Sequence, residues 1–128
     1  MKTAYINKSK SDGWITPLDL YNKLNKEFNF DFDPCPINNT FNGLEIDWKS
    51  KNFVNPPYSQ LKLWIEKAYK EYEKGKLVVM LIPARTDTIA FHKYIYNQAE
   101  IRFIKGRLKF SNSKNSAPFP SMIVIFKK

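Results

Sequence analysis

The 128 residues, 43% hydrophobic and 16% aromatic, have the length of one small domain and exclude a disordered chain. A lone cysteine, Cys35, excludes an internal disulfide, and no His/Cys cluster points to a metal. No apolar run reaches the length of a membrane span, and the Lys-rich start leads into no signal-peptide core, so an intracellular protein is expected, with a frayed polar segment at 1–12 and one domain over 13–128. The net charge is +9, and residues 101–128 hold seven Lys and Arg with no Asp or Glu; this fits a polyanionic partner, the bland alternative being a solvated lysine-rich face.

In chain order, Thr16-Pro17-Leu18-Asp19 reads as a helix start, with Thr16 as N-cap and Pro17 at the first position. Leu20, Tyr21, Leu24 and Phe28 follow at helical spacing. The period then changes to two: Phe28, Phe30 and Phe32 alternate with Asn29, Asp31 and Asp33, a strand ending at Asp33 before Pro34-Cys35-Pro36. Residues 37–52 read as loop, with a short strand around Leu44–Ile46, and Phe53-Val54 as a second short strand. Leu61, Trp64, Ile65, Ala68, Tyr69 and Tyr72 form the apolar face of a helix ended by Gly75. Leu77–Ile82 is a continuous apolar run, the mark of a central strand buried on both faces. Thr86 or Asp87 caps a further helix to Tyr96, on which His92 reads as a packing or surface residue. Glu100–Phe110 and Ser121–Lys127 are expected to pair as antiparallel strands around a polar, mobile segment at Ser111–Ala117.

Strands alternating with helices predict an α/β fold with a three-layer, mostly parallel sheet and an antiparallel strand near the C-terminus. Asp33, Asn55 and Pro83 all fall at predicted carboxyl ends of strands, where such sheets bind ligands.

Asn55-Pro56-Pro57-Tyr58 carries the chemistry. Two prolines stiffen the turn and remove two N–H donors. What remains is an amide side chain, a free carbonyl and a ring. The Asn55 side-chain oxygen and the Pro56 carbonyl can each accept one hydrogen from an –NH2 group, while Tyr58 stacks on the ring bearing it. Adenine N6 is such an amine.

This motif resembles the catalytic motif of amino-methyltransferases that use S-adenosylmethionine, a class acting on DNA, RNA and protein glutamine. Five further motifs, in order, resemble the phage-type DNA N6-adenine methyltransferase family: Trp14-Ile15-Thr16-Pro17, Asp31-Phe32-Asp33, Leu81-Ile82-Pro83-Ala84-Arg85-Thr86-Asp87-Thr88, Gly106-Arg107-Leu108-Lys109-Phe110 and Pro118-Phe119-Pro120-Ser121. The likeness covers about residues 11–127. It implies a Rossmann-like fold, methyl transfer from S-adenosylmethionine to a flipped-out adenine N6 at specific DNA sites, and a phage or prophage gene acting in the bacterial cytoplasm, in the manner of restriction–modification methylases. It also implies catalytic roles for Asn55, Pro56, Pro57 and Tyr58, and cofactor contacts from Trp14, Thr16, Pro17, Asp33, Pro34, Asp47, Trp48 and Asn55. Trp48 reads equally as core.

The flipped base needs a second stacking face, for which Phe119 is the candidate, Phe110 reading rather as core. Arg85, Arg107 and Lys114 are candidate phosphate contacts, with an ion pair the alternative for Arg107. The first strand runs into Asp33-Pro34-Cys35-Pro36 rather than a Gly-rich turn, which leaves weak or partner-dependent cofactor binding open. Pro34-Cys35 matches the nucleophile dipeptide of cytosine-C5 methylases, but its place at the first strand's end and the Asn55–Tyr58 motif favour amine chemistry. The competing readings are cytosine N4 or RNA adenine as target, a protein-glutamine methylase, and a non-catalytic relative that binds DNA or cofactor. Loops 36–52 and 111–119, or the second subunit of a homodimer, are left to read the DNA sequence. Asn55→Ala is expected to abolish transfer and spare cofactor affinity.

Overall fold

The computed structural model describes residues 13–38 and 40–128; the segment 1–12 lies outside the described residues. Helix α1 spans Leu18–Phe28. Pro17, not Thr16, is its N-cap residue, with ψ at 134° and no side-chain cap. Its fixed φ suits the entry to a helix, and its carbonyl accepts Tyr21 N at 3.0 Å. The helix stops at Asn29, which takes the left-handed conformation (φ 56°) and donates its N–H to Asn25 O.

Strand β1 is Lys51–Val54. A single 3-10 turn at Tyr58–Gln60 leads into helix α2, Leu61–Glu73. Gly75, at φ 98°, turns the chain into β2, Leu77–Pro83. The expected third helix is shorter and wider than its pattern implied. Its cap is Thr88, whose Oγ1 accepts Phe91 N at 3.2 Å, and Phe91–Ile95 forms a π-helical turn closed by Tyr96 N on Phe91 O. Strands β3, Glu100–Phe103, and β4, Ser121–Phe126, complete the order. β3 stops seven residues short of the expected Phe110, ahead of a turn in which Gly106 sits at φ 75°. No strand forms at Leu44–Ile46.

The sheet order is β1-β2-β4-β3. β1 and β2 are parallel, with Val54 beside Met80. β4 is antiparallel to both neighbours, with Ser121 opposite Pro83 and Met122 opposite Phe103. The sheet is therefore mixed rather than mostly parallel. The expected first strand contributes one parallel bridge, Phe32 to Asn52, outside β1. Asn29 ends the helix immediately before it and Pro34 follows it, so little chain is left for a ladder. What fixes this segment is hydrogen bonding to the start of β1: the Asp31 carboxylate accepts Ser50 Oγ at 2.6 Å and Lys51 N at 2.9 Å, and Phe32 O accepts Phe53 N.

Both faces of the sheet are buried, as the apolar run at 77–82 predicts. Val78, Met80, Ile82, Met122, Val124 and Phe126 pack with Trp64, Ile65 and Ala68 of α2 and with Phe91 and Ile95. The alternate residues Val79, Leu81, Ile123 and Ile125 pack with Phe53, Phe110 and Leu24 of α1. Period-two alternation in the strands thus supplies two apolar faces, each covered by a helix.

Among the described residues one acid is fully buried. Glu71 lies on the same side of α2 as Trp64 and Ala68, seven and three residues after them. It accepts Lys76 Nζ, Lys67 Nζ, Lys74 Nζ and the backbone N of Trp48. Burial raises the pKa of this carboxyl, but the bonds from Lys76, Lys67, Trp48 and Lys74 outweigh it and hold it down at about 2. The knot ties the end of α2 to the start of β2 and to the loop before β1. No described helix is long and apolar enough to cross a membrane. Among the described residues no group of His, Cys, Asp and Glu could hold a metal ion.

Candidate functional site

The Phe32 segment and β1 run parallel and end side by side, at Asp33 and Asn55. Beyond these carboxyl ends opens a cleft of about 280 Å³ lined by Trp14, Ile15, Thr16, Leu18, Tyr21, Asp33, Cys35, Pro36, Ile37, Phe53 and Asn55. The lining is largely apolar and aromatic, with the hydroxyl of Thr16, the carboxylate of Asp33 and the amide of Asn55 as its polar groups. Asp33 Oδ1 accepts Cys35 N at 2.9 Å, closing a one-turn cap at the end of the segment. Burial, and secondarily the Asp33 charge, push the Tyr21 hydroxyl above its ordinary pKa.

Asn55 is 6% exposed. Its Nδ2 donates to the carbonyl of Trp14 and, at 3.0 Å, to Thr16 Oγ1. Both N–H donors of the amide are thereby committed, which fixes its orientation and leaves its buried carbonyl oxygen as the acceptor atom of the side chain. Thr16 is accordingly occupied as a partner of Asn55 and not as the cap of α1. Pro56 and Pro57 are buried behind it, and the chain turns into the 3-10 turn at Tyr58.

Tyr58 belongs to an aromatic group. Its ring stacks on Trp14 with centroids 6.2 Å apart and meets Phe119 edge-on at 5.1 Å. Trp14 in turn meets Phe119 edge-on at 5.6 Å and Phe110 at 5.3 Å. Burial raises the Tyr58 hydroxyl far above its usual pKa, only partly opposed by the nearby Arg85 charge, so it is a neutral phenol at any working pH. The hydroxyl is buried with no hydrogen-bond partner among the described residues. Phe110 is fully buried, which makes it core, whereas Phe119 is partly exposed.

The other candidates are dispersed. Arg85 is exposed beside Tyr58, at the carboxyl end of β2. Arg107 and Lys114 are exposed in the chain between β3 and β4, as are Lys105 and Lys109. The remaining charge of 101–128 does not form one patch: Arg102 is paired at 2.7 Å with both Glu27 and Glu100, and Lys128 lies over the Tyr72 ring. Pro17 and Pro34 adjoin the cleft residues Thr16 and Asp33 without lining the cleft. Asp47 and Trp48 stand away from it. Asp47 is an exposed carboxylate paired with Lys74 at 3.0 Å. Trp48 is 3% exposed in the core under α2, stacked on Trp64 and donating Nε1 to Gly43 O at 2.7 Å. His92 is exposed, the surface rather than the packing reading of its position.

Sequence reasoning missed the residues that hold the Trp14–Thr16 segment in place. Ser111–Ala117 is not a free loop. Asn112 Oδ1 accepts Ile15 N and Nδ2 donates to Gly13 O, each at 2.9 Å, while Ser111 N donates to Ile15 O at 2.9 Å. The only signal was an Asn within a polar run, which a sequence cannot distinguish from a turn.

The model of the family described as DNA N-6-adenine-methyltransferase (Dam) matches residues 3–128. The protein named DNA N-6-adenine-methyltransferase of Escherichia phage T1 is 36% identical over 64 residues, which is 48% of this chain and 27% of that relative. The chain thus matches little more than a quarter of the relative's length. A family match that takes in the cleft, the Asn55 turn and both C-terminal strands places this chain in the DNA N-6-adenine-methyltransferase (Dam) family.

Proposed function

We propose that the protein transfers a methyl group from S-adenosylmethionine to N6 of an adenine in DNA, on a three-layer Rossmann-like scaffold formed by the sheet and the helices on its two faces. The observation that carries this reading is the Asn55 amide, which lines the cleft at the carboxyl end of β1 and whose Nδ2 is bonded to Trp14 O and Thr16 Oγ1.

The cleft suits the cofactor. Its volume of about 280 Å³ is close to the lower end of small-ligand sites, roughly 300–1,000 Å³. Its aromatic and apolar walls suit an adenosine, and the Asp33 carboxylate suits an ammonium or ribose hydroxyls. Trp14, Thr16, Asp33 and Asn55 would hold the cofactor; Asp47 and Trp48 are left out of this set. Bound there, S-adenosylmethionine supplies an electrophilic methyl group on a sulfonium.

The protein's task is to make a poor nucleophile better. The N6 lone pair of adenine is delocalised into the ring. Hydrogen bonds from N6 to Asn55 Oδ1 and the Pro56 carbonyl favour a pyramidal nitrogen and stabilise the positive charge developing on it. Held by Trp14, Thr16, Asp33 and Asn55, the cofactor would supply the methyl that N6 accepts and would be left as a neutral thioether. Neutral Asn55 is no strong base, so the surplus N6 proton passes to water. Tyr58 serves through its ring, since its hydroxyl does not ionise. The base is turned out of the helix to reach this turn. Arg85, Arg107 and Lys114 receive the backbone phosphates, and Phe119 bounds the base slot.

Transfer from labelled S-adenosylmethionine to unmethylated duplex DNA, followed by digestion to nucleosides and mass analysis, tests this. N6-methyladenine is the expected product. N4-methylcytosine, or label in RNA alone, would move the reading to another amine acceptor. Absence of both transfer and cofactor binding would leave a non-catalytic relative.

A further inference from the structure

The segment Gly13–Thr16 lies between two parts of the site. On its inner side Trp14 O and Thr16 Oγ1 receive the Asn55 amide, and Trp14, Ile15 and Thr16 line the cleft. On its outer side its backbone pairs with the loop between β3 and β4. Ile15 N is bonded by Asn112 Oδ1, Gly13 O by Asn112 Nδ2, Ile15 O by Ser111 N, and Thr16 O by Ser111 Oγ at 3.3 Å. The Asn112 amide thus acts as a short strand would, giving and taking one bond across two residues. The wall is thus held from two sides, by Asn55 within and by the loop without, and its outer backbone groups are satisfied by the loop.

The same loop carries exposed Lys114, and Phe119 against Tyr58. We infer that Asn112 is a positioning residue that couples DNA docking on the loop to cofactor binding in the cleft. The inference rests on the reading under Proposed function. DNA phosphates that restrain the loop through Lys114 pre-order Gly13–Thr16. The cofactor then binds a wall already in place and meets a smaller ordering cost. By linkage the cofactor tightens DNA binding by the same factor.

The test uses S-adenosylhomocysteine, which binds without turning over, and a duplex containing unmethylated adenine. Its dissociation constant is measured with and without saturating DNA. In the wild type DNA is expected to tighten it by about fivefold or more, within the usual range of coupling between sites. In Asn112→Ala the two constants should agree to within about twofold. Asn112→Asp keeps the acceptor for Ile15 N and loses the donor to Gly13 O, so it should recover part of the coupling. Thermal midpoints taken alongside separate this from lost stability, which shifts the midpoint without removing DNA dependence. Unchanged coupling in Asn112→Ala would overturn the inference. So would a wild type that methylates DNA yet shows no coupling, a result that needs no variant to fold. A wild type that neither binds S-adenosylhomocysteine nor transfers methyl would instead remove the reading beneath it.

Discussion

The Asn55 amide donates to the carbonyl of Trp14, 41 residues earlier in the chain. This bond makes one unit of what the sequence presents as two motifs. The side chain proposed to receive the target amine also anchors the backbone whose side chains form the cofactor wall. Asn55→Ala should therefore do more than remove an acceptor. Transfer should fall by at least about 100-fold, as for a lost group that stabilises developing charge. Affinity for S-adenosylmethionine should also weaken several-fold, because Trp14 and Thr16 lose their tether. This departs from the expectation that the substitution spares the cofactor. Single-turnover rates and equilibrium dialysis on one variant decide between them.

Tyr58 offers the opposite case. Its hydroxyl is buried without a hydrogen-bond partner among the described residues, and its pKa is raised by burial. Removing an unsatisfied polar atom costs nothing in bonding, so Tyr58→Phe should be neutral or stabilising by up to about 1 kcal/mol. Methyl transfer should stay within a few-fold of wild type if the ring is what matters. Tyr58→Ala, which also removes the contacts to Trp14 and Phe119, should lose both stability and transfer. A large loss in Tyr58→Phe alone would assign the hydroxyl a direct role.

Lys114 is exposed on the loop bonded to Gly13–Thr16. Lys114→Ala should weaken DNA binding evenly across sequences and reduce the slope of log affinity against log salt by about one. Titrations at several salt concentrations measure both. An unchanged slope would place the phosphate path elsewhere, with Arg85 and Arg107 the next to vary.

Much of this was legible in the sequence, and the limits have physical causes. Leu77–Ile82 read correctly as a central strand because an unbroken apolar run has one economical place in an α/β fold. The helix through Trp64 and Ala68 read correctly because its period is strong. Asp33 and Asn55 fell at carboxyl ends of adjacent parallel segments, as their position after apolar alternation implied. The Phe28–Asp33 alternation was real, but Asn29 and Pro34 truncate it to a bridge, and propensity does not show how long a ladder survives. Thr16 looked like a cap because caps are the commonest use of Thr before Pro; its partner, Asn55, is distant in sequence. Asn112 carried no local signal, since its bonds are all to residues 97 or more positions away. Trp48 and Asp47 are adjacent in sequence, yet one is core, a reading its ring equally allows, and the other surface.

Gly43 gives a prediction that no periodicity contains. A Cβ there would lie 2.0 Å from the carbonyl oxygen of Pro34 and 2.8 Å from the Trp64 ring. The first neighbour is backbone and cannot swing away. Gly43→Ala should destabilise the fold by roughly 2–3 kcal/mol, in the range of overpacked sites. The displaced Pro34 follows directly on Asp33, so cofactor affinity should fall as well. Denaturant unfolding and cofactor titration of the one variant report the two effects separately. A variant as stable as wild type would show that the loop before β1 can shift as a body.

Glu71 predicts how the protein meets acid. Its carboxyl has an ordinary pKa of 4.5 and is held at about 2 in the fold. Burial opposes ionisation there, and the bonds from Lys76, Lys67, Trp48 N and Lys74 more than compensate. A depressed carboxyl adds stability that is fully present above the unfolded value and is lost as pH falls toward the folded one. The wild type should therefore lose stability between about pH 4.5 and 2, with Glu71 contributing up to one proton to the slope. Glu71→Gln keeps the shape, removes the charge and leaves three lysines facing a neutral amide. It should cost about 3 kcal/mol near neutral pH, the low end for breaking a buried pair, because the lysines retain access to water. The slope between pH 4.5 and 2 should shrink by the same proton. Urea unfolding of both proteins across that range measures it, and equal slopes would mean that Glu71 stays ionised through other contacts or that acid unfolding begins elsewhere.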